Sequence, residues 1–317
     1  MPVTNQIENI LIIKLGALGD FIQALGPCAA IRRHHSDAHI TLLTTAPFVE
    51  LAGLSGYFDD VWTDSRPAWW RVPAILALRR RLRNGIFNRV YDLQTADRTN
   101  FYFRLMGRPR PAWSGIAPGC SHPDPDPDRD KLHTIERQRG QLAAAGIKDV
   151  PLPDLSWARR KVGDGGGSNA FGLTPGYVLL VAGGSAHRPA KRWPAARFAE
   201  IAQRLLTLGH QPVLLGGSAD EVATSAVARA HPGVVDLTNK TSLVDIVTLA
   251  SAASGAVGND SGPMHLIAAA GCPGVVLFSS ESDPALCAPC GADIEILQRA
   301  SLDDLDVNAV EAAMRLR

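Results

Sequence analysis

KLGALGDFIQALGPCAAIRRH, residues 14–34, follows directly on the apolar run ILII at residues 10–13, and the two stretches together decide the fold. Four consecutive β-branched or leucine residues are the pattern of a strand buried on both faces. A Gly16-x-x-Gly19 turn then opens a helix expected to run to His34. Strand, glycine turn and helix in that order make the first half of a parallel βαβ unit. Such a turn aims free backbone N–H groups and the positive helix end at whatever lies above it, as dinucleotide sites do with pyrophosphate. Asp20 would repel a pyrophosphate there. The same helix end stabilises a negative side chain, so Asp20 reads as a candidate base rather than as part of a phosphate cradle.

The alternation continues through residues 39–44 (HITLLT), a helix near Phe48, a short strand at Val61 and Trp62, a helix through Arg83 and a strand at residues 90–93 (VYDL). Residues 121–130, SHPDPDPDRD, alternate Pro with Asp and are expected to form a solvated loop with neither ladder nor helix. They do not make a calcium loop, which needs a central Gly and a closing Glu. A helix is expected over residues 133–145. Residues 160–175, RKVGDGGGSNAFGLTP, cannot pack a core and serve as the linker. Beyond it the pattern restarts, with strands at 177–185, 211–217, 234–235, 255–260 and 274–279 and helices after Trp193-Pro194 and at 221–230, 243–252 and 264–270. The expectation is an α/β protein of two doubly wound parallel-sheet domains, residues 1–160 and 176–317, joined by a linker at 161–175 and facing an interdomain cleft. Ligands in open α/β sheets lie at the carboxyl ends of the strands. Asp20, Gly183-Gly184-Ser185, Gly216-Gly217 and Asp260-Ser261-Gly262 all fall there.

At 317 residues the chain exceeds what one core usually organises, which fits two domains. A formal net charge of +1 with 20% charged residues argues against a nucleic-acid binder that relies on overall charge. The first residues carry no basic region followed by a small-residue cleavage site, and no apolar run approaches the roughly 20 residues of a membrane helix, so a cytoplasmic protein is expected. The 5 cysteines are odd in number and scattered, unlike a secreted disulfide framework. Cys287-Ala-Pro-Cys290 lacks a second ligand pair and a thioredoxin-like context, so both read as reduced structural thiols and no metal site is expected.

Two further constellations could carry chemistry. In NDSGPMH, residues 259–265, Ser261 and Gly262 offer a hydroxyl and open N–H groups at a helix start. That is an anion site or simply an N-cap made by Asp260 or Ser261. His265 alone fits a core histidine. In GGSAHRPAKRWP, residues 183–194, a glycine turn leads into a basic loop where Lys191 is either a point charge for a phosphate or a solvated lysine. No Gly-Lys-Ser/Thr follows, so this is not a nucleoside-triphosphatase phosphate loop.

Taken together, residues 12–44, YDLQ at 91–94, KRWP at 191–194, LLGGSADE at 214–221 and GNDSGPMHLIAAAGCPGVVLF at 258–278 closely resemble the bacterial lipopolysaccharide heptosyltransferases of glycosyltransferase family 9. The resemblance preserves the order of these motifs over nearly the whole chain. It implies two Rossmann-like domains of the GT-B type and an inverting, metal-independent transfer from an ADP-activated heptose, with no cofactor, to an acceptor on the lipid A inner core. Asp20 matches the family's proposed base. By the same resemblance Lys191, Ser261 and the Gly262 N–H hold the diphosphate, and Ser185 and His187 bind the donor. Asp260 and His265 contact sugar or phosphate, Glu221 the ribose, and Thr241 the adenine. Lys14, Gln94 and Arg98 lie on the acceptor side.

The chain departs from the family where Ser261 replaces a frequent Thr, and where Ala186 stands in place of an expected hydroxyl. CAPC is followed at once by Gly-Ala-Asp-Ile, unlike relatives with a longer cysteine-rich segment. Other nucleotide-sugar donors, a protein acceptor, or a binding protein without turnover stay open. A nicotinamide oxidoreductase is weaker, because the first turn lacks the full G-x-G-x-x-G and carries Asp20. Trp69-Trp70-Arg71 leads into a helix ending RRRLR at residues 79–83, a basic and aromatic element that suits an anionic membrane surface and equally a solvated face.

Overall fold

The computed structural model describes residues 7–158, 170–185 and 187–317. Residues divide into two compact units, Met1–Pro153 and Asp154–Arg317. Most of the glycine-rich stretch at 161–175, and Ala186, lie outside the described residues.

In the first unit β1 (Asn9–Ile13) is followed by β2 (His39–Thr44), β3 (Asp60–Thr63), β4 (Arg89–Asp92), β5 (Ala112–Gly115) and β6 (His122–Pro123). The sheet order is β3-β2-β1-β4-β5-β6, with every pair parallel. The second unit repeats that order with β7 (Val178–Val181), β8 (Pro212–Leu214), β9 (Val235–Asp236), β10 (Gly255–Asn259), β11 (Gly274–Phe278) and β12 (Ile294–Gln298), arranged β12-β11-β10-β7-β8-β9. Both sheets therefore have the doubly wound order in which strand direction of progression reverses between the first and fourth strands. β1, β7, β10 and β11 are covered on both faces, which is why they read as unbroken apolar runs.

Helices α1 (Leu18–Gln23), α2 (Leu25–His34), α3 (Val49–Ser55), α4 (Val72–Asn84), α5 (Asp97–Leu105) and α6 (Thr134–Ala144) complete the first unit. The single helix expected after the glycine turn is thus two. Pro27 has no N–H to give the Gln23 carbonyl, and its ring clashes with that carbonyl, so the chain breaks at Ala24. The turn itself is shaped by Gly16, at φ +123°, where a Cβ would also lie 3.2 Å from the Phe48 ring. Phe48 in turn stacks on Phe21 at 4.4 Å, tying the turn to α1. The Pro/Asp-rich loop is less irregular than expected, since His122–Pro123 joins the sheet. A proline is tolerated there because the strand is at the edge.

Two elements of the second unit appear at the expected bounds: the helices Glu221–Ala230 and Leu243–Ala252. Leu243–Ala252 is opened by a capping box in which Ser242 Oγ accepts from Asp245 N at 3.1 Å and Asp245 Oδ2 accepts from Ser242 N at 2.8 Å. The core of this unit centres on Trp193, whose Nε1 donates to the Leu305 carbonyl at 3.0 Å, so a large ring is buried without stranding its N–H.

Candidate functional site

In the first unit the carboxyl ends of β1 and β4 lie side by side at the reversal of the sheet order. A polar pocket of about 180 Å³ opens there. Lys14, Asp20 and Gln94 line it, joined by Thr95, Arg129 and Arg137. Asp20 is the third residue of α1, and its Oδ2 accepts from the Ala17 N–H at 3.3 Å, which leaves one carboxylate oxygen for a proton. Gln94 Oε1 accepts from Leu15 N at 2.8 Å, so the β4 turn grips the backbone that carries the glycine turn. Arg98 is not among the residues lining this pocket. Its guanidinium donates to the Pro67 carbonyl at 3.1 Å and lies over the Trp69 ring.

Arg129 and Arg137 were not singled out from the sequence. Arg129 Nε is paired with Asp124 at 2.7 Å, and its Nη2 reaches Thr95 Oγ1 at 3.3 Å. Both arginines share the exposed Asp130 carboxylate, at 3.3 Å and 3.8 Å. Arg137 Nε is buried without a partner. Two guanidinium groups beside a carboxylate can bind an anionic group and a neighbouring hydroxyl of one ligand.

Beneath the pocket Lys14 is buried, and its Nζ donates to the Leu93 carbonyl at 3.0 Å. Burial pushes the Lys14 pKa below the usual lysine value, while the Asp20 and Asp92 carboxylates pull it back up. Asp92 is fully buried, and its Oδ1 accepts from Gln94 N at 3.1 Å and Thr95 N at 3.0 Å. Its Oδ2 has no partner. Desolvation outweighs these hydrogen bonds and raises its pKa to about 6. The folded chain therefore holds the Asp92 proton more tightly than the unfolded chain does. The resulting stability is full below the unfolded value of about 4 and is lost as pH rises through about 6, on the order of 2–3 kcal/mol. Asp92→Asn is expected to remove this loss: the stability difference between wild type and variant, from urea unfolding at pH 4.5 and pH 7.5, should widen in the variant's favour at the higher pH. An unchanged difference would show that Asp92 is ionised without cost.

In the second unit the corresponding reversal lies between β7 and β10. Asn259, fully buried at the end of β10, donates from Nδ2 to the Ala182 and Gly183 carbonyls, both at 3.0 Å, and accepts from Trp193 N at 2.9 Å. It thereby ties the Gly183-Gly184 turn, the basic loop and β10 into one frame. Asp220 does the same for the next turn, accepting from Gly184 N at 3.1 Å and Gly217 N at 3.0 Å. A Cβ at Gly183 would fall 2.2 Å from the Asp220 carboxyl carbon, so that approach requires glycine.

Lys191 is not a solvated lysine. Its Nζ meets Asp260 Oδ2 at 2.5 Å, with side chains 12% and 7% exposed, and Ser282 Oγ donates to the same oxygen at 2.7 Å. An ammonium has three N–H groups, so this pairing still leaves donors for a ligand. Ser261 occupies the N-cap of the helix Gly262–Ala269 but makes no side-chain cap bond, and its buried Oγ has no partner. The plain N-cap reading therefore fails for Ser261. Hydroxyl and first-turn N–H groups converge beside the Lys191 ammonium, a geometry that holds an anion.

The remaining candidates sit around this frame. His265 is buried in the same helix, and Ser185 and His187 are exposed on the loop after β7. Glu221 Oε1 accepts from Asn239 Nδ2 at 2.5 Å, and Thr241 precedes the capping box. Arg192 Nη2 donates to the Gly184 carbonyl at 2.6 Å. Asn259, Asp220 and Arg192 fall inside motifs quoted from the sequence but were not singled out there, and Ser282 lies outside all of them. Among the described residues no group of three or more His, Cys, Asp or Glu side chains could hold a metal ion, and Cys287 and Cys290 form no disulfide.

Residues 75–306 match the family model described as glycosyltransferase family 9 (heptosyltransferase). Lipopolysaccharide heptosyltransferase 2 of Salmonella typhimurium is 35% identical over 162 residues, covering 48% of this chain and 46% of that protein, so the aligned part is about half of either. The solved structure of the E. coli ADP-heptose LPS heptosyltransferase II superposes with a TM-score of 0.78 at 22% identity, covering 96% of this chain and 97% of that one. A glycosyltransferase family 9 structure from Veillonella parvula gives a TM-score of 0.81 at 22% identity over 96% and 95% of the two chains. These likenesses show that the two units have the GT-B architecture.

Proposed function

Because the chain belongs to glycosyltransferase family 9, we propose that it transfers heptose from ADP-heptose to a lipopolysaccharide inner-core acceptor with inversion. The acceptor hydroxyl oxygen attacks the anomeric carbon, the bond from that carbon to the ADP oxygen breaks, and the hydroxyl proton passes to Asp20. The observation that carries this is a carboxylate at the β1 turn, where a nucleotide-binding unit has bare backbone, beside two guanidinium groups. A binding protein gains nothing from that carboxylate.

On this proposal the first unit takes the acceptor through Lys14 and Gln94 together with Arg129 and Arg137, and the second unit holds the donor. Lys191, Ser261 and the Gly262 N–H offset the charge that develops on the departing ADP. Glu221 takes the ribose, backbone near Thr241 the adenine, and Ser185, His187, Asp260 and His265 the phosphates and sugar. The enzyme would work in the cytoplasm at the inner membrane face. ADP release by the purified protein with ADP-heptose, with and without a heptose-deficient lipid A core acceptor, tests the proposal: release must depend on acceptor. Retained ADP binding with no release from any ADP sugar would point to another donor or to a binding protein.

Ser261→Ala should weaken ADP binding roughly tenfold, the worth of one hydrogen bond to a charged group, whereas Ser261→Thr should keep it. Since Ser261 Oγ caps nothing, the melting temperature should stay unchanged in both, unlike an ordinary N-cap loss. Calorimetric titration with ADP and a thermal melt check the two halves.

No helix among the described residues is long and apolar enough to cross a membrane. Contact with an anionic membrane is assigned to α4. Val72, Leu76, Arg79, Arg80 and Arg83 share its outer face, while Leu78 and Leu82 face the core. Arg81, also exposed, lies over the Trp62 ring and donates to the Thr63 carbonyl. Replacing Arg79, Arg80, Arg81 and Arg83 by Ser should abolish flotation with phosphatidylglycerol vesicles; unchanged flotation would remove the membrane from the proposal.

A further inference from the structure

Residues 66–91 and 98–123 contain eleven arginines and no acidic residue or lysine. They supply α4, α5 apart from its first residue Asp97, and the segment leading into β5, and Leu78, Leu82, Phe103 and Met106 from them share one core. A cavity of about 420 Å³ opens where the C-terminal end of α4 meets the start of β5. It lies at the amino ends of β4 and β5, away from the pocket that holds Asp20.

Three arginines, Arg83, Arg108 and Arg110, are among its lining residues. Arg83 lies over Gly107, where a Cβ would sit 3.4 Å from its guanidinium carbon, and Arg110 rests on the Phe103 ring at 4.4 Å. No acidic side chain is among the lining residues. The other wall is apolar, from Leu82, Phe87 and Met106. At the rim Ile86 is 76% exposed and has φ +46°, a conformation that disfavours a β-branched residue. Ile86 thus extends the apolar wall of Leu82, Phe87 and Met106 to the rim.

We propose that this cavity is a headgroup site for one anionic phospholipid. The phosphate diester lies among Arg83, Arg108 and Arg110, and the first methylenes of the acyl chains lie on Ile86, Phe87 and Met106. The inference rests on the membrane contact assigned to α4 and adds a defined lipid site to a diffuse basic face. Guanidinium groups match phosphate oxygens by paired hydrogen bonds, and the apolar wall distinguishes a lipid from a free phosphate or a nucleic acid.

The test is calorimetric titration of the full chain with dihexanoyl phosphatidylglycerol below its micelle concentration. Saturable 1:1 binding is expected, at least about tenfold tighter than for inorganic phosphate or dihexanoyl phosphatidylcholine, because both the charge and the apolar wall are needed. Arg108→Ser should weaken it at least about tenfold, and Arg108→Lys should recover only part, since a point charge replaces a fork. Arg110→Ser is the second variant, with a thermal melt to check its loss of contact with Phe103. No saturable binding, equal affinity for inorganic phosphate, or displacement of the lipid by a single-stranded RNA would each overturn the proposal. Arg79→Ser with Arg80→Ser keeps the two levels apart. If that variant loses flotation yet binds the short-chain lipid normally, the headgroup site stands. If wild type floats with vesicles but shows no short-chain binding, the site falls and the α4 membrane contact remains.

Discussion

Replacing Asp20 by Asn is expected to lower kcat by about 10²–10⁴-fold, the usual contribution of a positioned general base, while ADP binding and the melting temperature stay near wild type. The substitution keeps the shape of the side chain, and an amide oxygen can still accept from the Ala17 N–H that Asp20 Oδ2 engages at 3.3 Å. The capacity to take a proton is lost, together with a negative charge near the buried Lys14, for which the Asp92 carboxylate remains. The measurement is ADP release under saturating donor and acceptor, with calorimetry of ADP as the control. A variant that keeps more than about a tenth of wild-type turnover would exclude Asp20 as the base.

Lys191→Ala should have two effects that can be separated. Loss of a charge aimed at the leaving diphosphate should reduce kcat/KM by about 10²–10³-fold. It also leaves Asp260, only 7% exposed, without its counter-ion, and breaking a buried pair costs roughly 3–5 kcal/mol. Ser282 Oγ and the Asp260 backbone bond to Leu277 survive, which keeps the loss toward the lower end of that range. The double variant Lys191→Met with Asp260→Asn removes both charges, so its melting temperature should return most of the way to wild type while activity stays low. Recovery of activity together with stability would mean that Lys191 serves the fold alone and that another group meets the diphosphate.

The parts of the fold legible in the sequence are those whose signal is local. The ILII and HITLLT runs, the glycine turn and the start signals at Glu221 and Ser242 carry their structure within a few residues. β5, with only AWSG, and the edge strand β12, partly exposed along its length, carry no comparable pattern and form because a neighbouring strand offers its free edge. Pro27 was legible in principle, and its break of the helix follows from the missing N–H alone.

The candidate site divides the same way. Asp20 was accessible because it follows a glycine turn at a helix start, Lys14 and Gln94 only through the resemblance of their motifs to a known family, and Asp260 to Gly262 because a buried strand led straight into a helix. Their sequence determined the two doubly wound units and the strand ends where ligands bind, since hydrophobic period and turn chemistry act over short distances. The tertiary structure alone decided which charges meet: Arg129 and Arg137 beside Asp20, Lys191 on Asp260 across 69 residues, and a serine at an N-cap left free for a ligand. Such pairings depend on loops brought together by the packing of whole elements, and no local propensity encodes them.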